Sequence, residues 1–390
     1  MTSIENPILE EIIASLPDIS SKVEEFREII LANLAMLGEI PSPTFHEEQR
    51  IAFLLNRFTE LGLNASADEV GNGIAIIEGK KGNKNIAITA HADTNVHENV
   101  NHTFTILPDK VNGPGVADNS LGVAVLASLP YLLEKLDIQF NANLILISDT
   151  RSLGRGNLEG IKHYLNNSKH TIHHGICIEG IKAGRLSHKS IGMLRGKISC
   201  EIPEQYDWSR FGSSSAILTL NEVINKINDI RLPKRPKSSI VMGSIEGGNS
   251  YNTIATSARL KFEIRSESEE LTQEIGERIE EIVSEVSSGP KETVSLDIVA
   301  KRGPGGISFS HPLVKSSLKI IDSLGVKPRL APSTSELAAF IEKEIPALTI
   351  GITSGDRIDE TKESIDIEPV SRGIAQIIGI LKAIDGGCCE

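Results

Sequence analysis

The chain has 390 residues, of which 39% are hydrophobic, so it is long enough to form two domains with sizeable cores. Its formal net charge of −12 argues against a nucleic-acid partner, because phosphate binding needs clustered Lys and Arg. The four cysteines form no CxxC pair, and the longest apolar run, residues 121–133, is too short for a membrane span, so we expect a reduced, cytoplasmic protein without a membrane partner.

Apolar residues recur with a period near 3.6 in several segments, and each such segment predicts a helix. The segments are 22–37, 46–62, 120–136, 157–166, 312–324, 336–343 and 370–384. Short apolar, β-branched runs lie between them: GIAIIEG, NIAITA, NLILIS, GICIEG and ALTIGIT. Strands of this type that alternate with helices indicate an α/β fold with a parallel or mixed sheet, covered by helices on both faces.

The middle of the chain has a different order of elements. It reads as strand LRGKISCEI, helix SSSAILTLNEVINKI, strands SIVMGSIEG and TSARLKFEIRS, helix LTQEIGERIEEIVSEV and strand TVSLDIVAK. This βαββαβ order is the ferredoxin-like one. We therefore predict a discontinuous α/β domain, residues 1–192 and 303–390, with a ferredoxin-like α+β domain inserted at residues 193–302.

Polar side chains follow the predicted strands of the larger domain. His91 and Asp93 follow NIAITA, Glu179 follows GICI, and Asp118 lies in a glycine-rich loop before a helix. Taken singly, each has an ordinary structural explanation, such as a helix N-cap for Asp118. Because the carboxyl ends of the strands meet at one edge of such a sheet, the set instead indicates a zinc, manganese or cobalt site. Asp93 is placed to accept the second imidazole N–H of His91.

These segments resemble the co-catalytic zinc exopeptidases and deacylases, a family that includes peptidase T, carboxypeptidase G, acetylornithine deacetylase and succinyl-diaminopimelate desuccinylase. The resemblance spans nearly the whole chain and rests on LGEIPSPTFHEE, DEVGNGIAII, TAHAD, GPGVADNSLG, SYNTIATSARLKFEIRS, STSELAAF, EIPALTIG and DETKES. It implies a mixed sheet flanked by helices, with the inserted domain serving as lid and homodimer interface. It also implies a small peptide or amino-acid derivative as the ligand in the cleft.

The resemblance further implies a role for each polar strand end. Members of the family hold two metals about 3.5–4 Å apart, bridged by an aspartate. His91 and Glu179 would hold the first metal, Asp118 would bridge the two metals, and Asp93 would orient His91.

In the inserted domain, two residues match positions that the family uses near the substrate or at the lid, Asn252 and Arg265. The lid usually also contributes a histidine to the substrate. That histidine would fall near residues 205–207, where this sequence has none.

The strand end after NLILIS departs from the family pattern. The family has a Glu-Glu pair there, a general base followed by a ligand of the second metal, whereas this chain has Thr150 and Arg151. Threonine has no pKa near neutrality and arginine has no lone pair for a metal, so neither can replace a glutamate. By spacing from Glu363, the last metal ligand, usually a histidine, corresponds to Asp359. We therefore expect Arg151 to stand in place of the second metal, between Asp118 and Asp359.

These departures leave three functions open. The first is a degenerate family member with weak or no two-metal amide hydrolysis, which holds one metal ion at most, or none. The second is an active metal-dependent exopeptidase or N-acyl amino acid deacylase with an altered centre. The third is a non-catalytic ligand-binding or regulatory dimer subunit. The simultaneous loss of the base, a metal ligand and the lid histidine favours the first function over the second.

Overall fold

The computed structural model describes residues 6–202, 215–287 and 293–390. The chain divides into two compact units, a larger one of residues 1–190 and 306–390 and a smaller one of residues 191–305. The described helices are α1 (Pro7–Glu25), α2 (Arg27–Gly38), α3 (Glu48–Glu60), α4 (Leu121–Lys135), α5 (Glu159–Asn167), α6 (Ala216–Asn228), α7 (Glu269–Val286), α8 (Pro312–Ser323), α9 (Leu337–Glu342) and α10 (Val370–Asp385). Two shorter helical turns are Val116–Ser120 and Gly154–Gly156.

The strands alternate with these helices along most of the chain. They are β1 (Asn64–Ala67), β2 (Gly73–Ile77), β3 (Asn85–His91), β4 (Thr105–Ile106), β5 (Lys110–Asn112), β6 (Asn143–Asp149), β7 (His174–Ile181), β8 (Arg185–Ser187), β9 (Lys189–Ser190), β10 (Gly192–Glu201), β11 (Ser238–Gly247), β12 (Ser257–Ser266), β13 (Thr293–Arg302), β14 (Gly305–Gly306), β15 (Arg329–Leu330), β16 (Ala347–Thr353), β17 (Gly355–Asp359) and β18 (Lys362–Asp366).

The larger unit is built on a mixed sheet with the strand order β1-β2-β6-β3-β7-β16-β8-β15. The central strands β6, β3, β7 and β16 run parallel, whereas β2 and β8 join them in antiparallel pairs. Every residue of β16 is buried, and β3 and β6 each have only their first residue partly exposed. Parallel strands buried on both faces are continuous apolar runs, which is why these strands could be recognised in the sequence.

Alternate residues of the central strands face two separate cores. In β6, Leu144 and Leu146 join a cluster formed with α1, α2, α4, α8 and α10. Ile145 and Ile147 point to the other face, where they pack with residues of α5 and α9. Helices therefore cover both faces of the sheet, and the predicted mixed α/β architecture is confirmed.

The N-terminal helix α1 differs from the prediction, which placed the first helix at residues 22–37. Asn6 accepts hydrogen bonds from the first backbone N–H groups and caps α1, which includes Pro17. The chain then breaks at Phe26 before α2 begins. The buried residues of α1 recur every three or four positions and pack on α10: Leu9, Ile12, Leu16, Ile19 and Val23. The acidic composition of this segment concealed that stripe.

The helical stretch Val116–Lys135, which includes α4, is the one described stretch long and apolar enough to cross a membrane. Within the larger unit, however, 89% of its most apolar window is buried. Helices that form the centre of a folded core have the same composition, so this stretch is accounted for by its packing.

The smaller unit has the predicted ferredoxin-like fold. Its sheet has the strand order β11-β12-β10-β13, and neighbouring strands are antiparallel. In β12 every second residue is buried, because that face packs on α6 and α7 around a core of its own. Strand β11 lies at one edge of the sheet and is largely exposed.

Candidate metal centre

Three potential metal ligands meet at one edge of the large sheet. One ligand atom from each of His91, Asp118 and Glu179 lies within 4.8 Å of the other two. His91 ends β3, Glu179 lies near the carboxyl end of β7, and Asp118 belongs to the turn before α4. Since β3 and β7 are parallel neighbours, their carboxyl ends meet at the same edge, as expected for a site of this fold.

The hydrogen bonds of His91 show which ring nitrogen would bind a metal. Nδ1 lies 2.9 Å from the backbone carbonyl oxygen of Asp93, and Nε2 lies 3.1 Å from Oδ1 of Asp118. A carbonyl and a carboxylate can only accept hydrogen bonds, so both ring nitrogens donate here, and Nε2 is the nitrogen that would lose its proton to a metal beside Asp118. Burial alone lowers the pKa of His91, but hydrogen bonds to Asp118 and Asp93 outweigh it and raise that pKa well above its usual value.

Asp93 orients His91 mainly through its backbone carbonyl, because its carboxylate oxygen Oδ1 lies 3.6 Å from Nδ1. The carboxylate is fully buried and accepts hydrogen bonds from Thr44 Oγ1 at 2.8 Å, Ser152 N–H at 3.2 Å and Leu153 N–H at 2.8 Å. Burial alone raises the pKa of Asp93, but His91, the Leu153 N–H and the Thr44 hydroxyl lower it overall. A buried carboxylate with this many donors stays charged and holds its position.

The cation beside Asp118 is Arg357, which the sequence analysis did not identify. Its Nη1 bonds to Asp118 Oδ2, and its Nε lies 3.0 Å from Glu363 Oε1. The other oxygen of Glu363 accepts the backbone N–H groups of Ala117 and Asp118, at 2.9 and 3.2 Å. Asp118 therefore has one oxygen toward His91 and the other bound to a guanidinium.

The charges in this network shift the carboxyl groups in opposite directions. Burial raises the pKa of Asp118 when considered alone, but His91 and Arg357 lower it to about 2. Burial raises the pKa of Glu363 to about 7, even though the Ala117 N–H and Arg357 oppose that change. Asp118 is thus the firmly charged member of the network.

Glu179, the third potential ligand, has a cation of its own. Arg185 Nη1 lies 3.6 Å from Glu179 Oε1, and Arg185 also donates to the hydroxyls of Ser187 and Ser333 at 3.2 Å each. Burial raises the pKa of Glu179, and Arg185 opposes that effect. Arg185 therefore helps to keep Glu179 in the anionic form that a metal requires.

The expected position of Arg151 is wrong. Its guanidinium lies 2.6 Å from Glu159 in α5 and stacks over the ring of Phe45, instead of bridging Asp118 and Asp359. Arg151 has a left-handed backbone conformation, with φ at 54°, and its N–H donates to Glu47 at 2.8 Å. The turn after β6 thus directs the side chain toward α5.

Thr150 and Asp359 also form their hydrogen bonds with residues other than the three potential ligands. The hydroxyl of Thr150 donates to the backbone oxygen of Val70 at 3.1 Å, and its N–H donates to Asn72 at 2.9 Å. Asp359 is exposed at a hairpin and accepts from Thr361, so the expected ion pair with Arg151 does not form. In this structure the hydroxyl of Thr150 therefore supports the loop before β2.

Strand register explains why Arg357 was missed. Arg357 is the direct cross-strand partner of Glu363 in the hairpin of β17 and β18, and a register shift separates it from Asp359. Counting four residues back from Glu363 led to Asp359, but pairing across a hairpin depends on the turn and on bulges. Arg357 lies two residues before Asp359, so a search for a basic residue near the expected ligand would have found it.

The residues predicted to contact substrate lie in the smaller unit. Asn252 is exposed in the loop after β11, where its Oδ1 accepts from Ser250 at 2.8 Å. Arg265, in β12, pairs with Glu263. The predicted absence of a lid histidine concerns residues 205–207, which lie outside the described residues.

The donor set fits one divalent ion. An imidazole with its other nitrogen protonated and two carboxylates are ordinary ligands of zinc, manganese or cobalt. The remaining oxygen of Asp118 is bonded by Arg357.

Comparisons with known proteins agree with this fold. The Peptidase dimerisation domain of the M20 peptidases matches residues 211–289. A Thermococcus kodakarensis protein assigned as a LysW-lysine/LysW-ornithine hydrolase is 44% identical over 61 residues, which is 16% of this chain and only 17% of that protein. Succinyl-diaminopimelate desuccinylase of Rickettsia bellii is 22% identical over 336 residues, covering 80% of this chain and 84% of the relative.

Solved structures with low sequence identity share the fold. The dipeptidase Dug1p from Saccharomyces cerevisiae has a TM-score of 0.78 at 13% identity, with 95% of this chain and 99% of that chain covered. The Bacillus subtilis YXEP protein, a dinuclear metal binding peptidase of the M20 family, has a TM-score of 0.62 at 15% identity, with 93% and 99% covered. Together these findings support the resemblance to the zinc exopeptidase and deacylase family that includes the M20 peptidases, and the solved structures show the shared fold.

Proposed function

We propose that the protein is a member of this family with a single metal centre, formed by His91, Asp118 and Glu179, and with weak or no two-metal amide hydrolysis. The observation that supports this most strongly is the bond between Arg357 and Asp118. A permanently charged guanidinium repels a second dication and occupies the oxygen that would bind it. Thr150 and Arg151, at the positions of the family's Glu-Glu pair, supply neither a base nor a ligand.

The ion would be zinc, manganese or cobalt, and it would act as a Lewis acid toward a carbonyl oxygen. The ligand in the cleft would be a small peptide or an amino-acid derivative, since the relatives include a dipeptidase and a desuccinylase. The number of ions bound per chain, measured together with turnover, tests this proposal. We expect one ion and weak or no turnover.

We further propose that the protein forms a homodimer through the smaller unit. Large apolar side chains are exposed on α6 and on the edge strand β11, with Leu218 at 65% and Ile245 at 61%. Ile217 lies next to Gly247, so the start of α6 and the end of β11 form one surface. An exposed strand edge beside apolar side chains is suited to pairing with a second copy, and the match to a dimerisation domain supports this.

Charged substitutions on this surface should separate the two copies. We expect wild type to elute with twice its chain mass of 42.2 kDa, and Leu218→Glu combined with Ile245→Glu to elute at that single mass. Light scattering coupled to size exclusion measures both. Ile298→Glu is the control, because Ile298 is 46% exposed on β13 at the opposite edge of the sheet. A control variant that separates while the double variant stays dimeric would place the interface elsewhere.

A further inference from the structure

The segment after β6 directs its backbone N–H groups at buried carboxylates. Arg151 N–H donates to Glu47 at 2.8 Å, while the N–H groups of Ser152 and Leu153 donate to Asp93 at 3.2 and 2.8 Å. Two of the donors that fix Asp93 therefore belong to this segment. The position of Asp93, and through it the ring of His91, depends on where the segment lies.

The side chain of Ser152 connects the segment to a residue outside the metal centre. Its hydroxyl donates to Oε1 of Glu336, which lies directly before α9. Ser152 is 3% exposed and Glu336 is 1% exposed, and the second oxygen of Glu336 has no hydrogen-bond partner among the described residues. Burying a carboxylate is unfavourable unless its bonds compensate, so this contact needs an explanation.

We propose that Glu336 is a positioning residue for the metal ligand His91, acting through Ser152 and Asp93. Glu336 fixes the Ser152 side chain, the segment at Ser152 and Leu153 then presents two N–H groups to Asp93, and the Asp93 carbonyl accepts from Nδ1 of His91. The inference rests on the proposed metal centre. It assigns a role to the strand end that lacks the family's two glutamates, because its backbone still holds the first metal's histidine in place.

Metal affinity distinguishes positioning from simple anchoring of α9 to the sheet. We expect Ser152→Ala and Glu336→Ala each to weaken zinc binding about tenfold, as removal of an outer-shell partner commonly does. Glu336→Gln should stay within about threefold of wild type, because its amide oxygen still accepts from Ser152. The Ser152→Ala, Glu336→Ala double variant should bind no more weakly than either single variant, since both break the same chain of contacts.

Ser128→Ala is the matched control. Ser128 is as buried as Ser152 and bonds to Asn33 and the carbonyl of Ala124, within the helical layer. We expect it to lower thermal stability without changing zinc affinity. Ser152→Ala and Glu336→Ala variants that likewise lose stability but bind zinc as wild type does would overturn the inference.

A second readout in the metal-free protein separates this inference from the proposed function. With histidine labelled at Cε1, His91 assigned from a His91→Gln variant should give one sharp NMR signal in wild type and in Glu336→Gln. In Ser152→Ala and Glu336→Ala it should broaden or split, because the ring loses its fixed orientation. Absence of zinc binding in wild type would reject the metal centre alone, whereas an unchanged His91 signal in both alanine variants would reject the positioning role.

Discussion

Combining Thr150→Glu, Arg151→Glu and Arg357→His is expected to raise hydrolysis of di- and tripeptides and N-acyl amino acids at least about 100-fold over wild type, since a general base contributes about 10²–10⁴ once a second ion completes the centre on which it acts. The first two substitutions restore the family's Glu-Glu pair. They remove the Thr150 bond to Val70 and the Arg151 pair with Glu159, and repulsion between Glu159 and the new carboxylate at position 151 favours a turn of that side chain toward Asp118. The third substitution supplies a further ligand for a second ion there. Removing Arg357 is essential, because its guanidinium bonds the oxygen of Asp118 that this ion needs. Initial rates on a substrate panel with added zinc or manganese measure the gain.

The matched control exchanges one substitution. Asp359→His replaces Arg357→His, so the variant has the same Glu-Glu pair and one new histidine, but Arg357 stays in place. Because Asp359 is exposed and bonds to Thr361, we expect this variant to remain at the wild-type rate. Restoration by the Asp359 variant, or no gain from the Arg357 variant when it binds two ions, would contradict the assignment of Arg357 to the second-metal position.

Arg357→Met alone is expected to lower the free energy of unfolding by about 2 kcal/mol in the absence of metal, between the values for exposed and buried ion pairs. The side chain of Arg357 is 36% exposed, so solvent screens part of its interaction with Asp118 and Glu363. Excess manganese or zinc should stabilise this variant more than it stabilises wild type, because both carboxylates become open to an ion. Urea denaturation with and without metal measures both effects.

Two controls define this result. Arg372 is also 36% exposed, but its partner Glu368 is a surface carboxylate, so Arg372→Met should change stability by less than about 1 kcal/mol. Asp359→Ala should leave stability unchanged, in contrast to the loss of roughly 3–5 kcal/mol expected for a buried pair with Arg151. Equal effects from Arg357→Met and Arg372→Met would mean that Arg357 is only a surface residue.

Much of the fold could be predicted because the strands of the large sheet are buried on both faces. Strands such as β6 and β16 are continuous apolar runs between helical segments, and such runs can be recognised in the sequence without knowledge of tertiary contacts. The order of helices and strands in the smaller unit could also be predicted, because the period of the apolar residues changes at the turns between them. Helix α1 was missed since its apolar stripe is interrupted by acidic residues and Pro17.

The candidate site was predictable where polar residues follow parallel strands of one sheet. His91 and Glu179 meet because β3 and β7 are neighbours, although β6 lies between them in the chain, and the sequence indicated only that both residues lie at the carboxyl ends of strands. The partner of Asp118 was not predictable by spacing, since it depends on the register of a hairpin and on a bulge beside Arg357. The direction of Arg151 depends on its positive φ, which a sequence pattern does not reveal for a residue other than glycine.

The central claim is that the centre holds one ion and not two. Wild-type protein would be loaded with excess zinc or manganese and dialysed, and its metal content per chain would be measured by mass spectrometry. Turnover on di- and tripeptides and N-acyl amino acids would be measured on the same preparation. We predict one ion per chain and weak or no turnover, while two ions per chain with turnover typical of an enzyme would contradict the account.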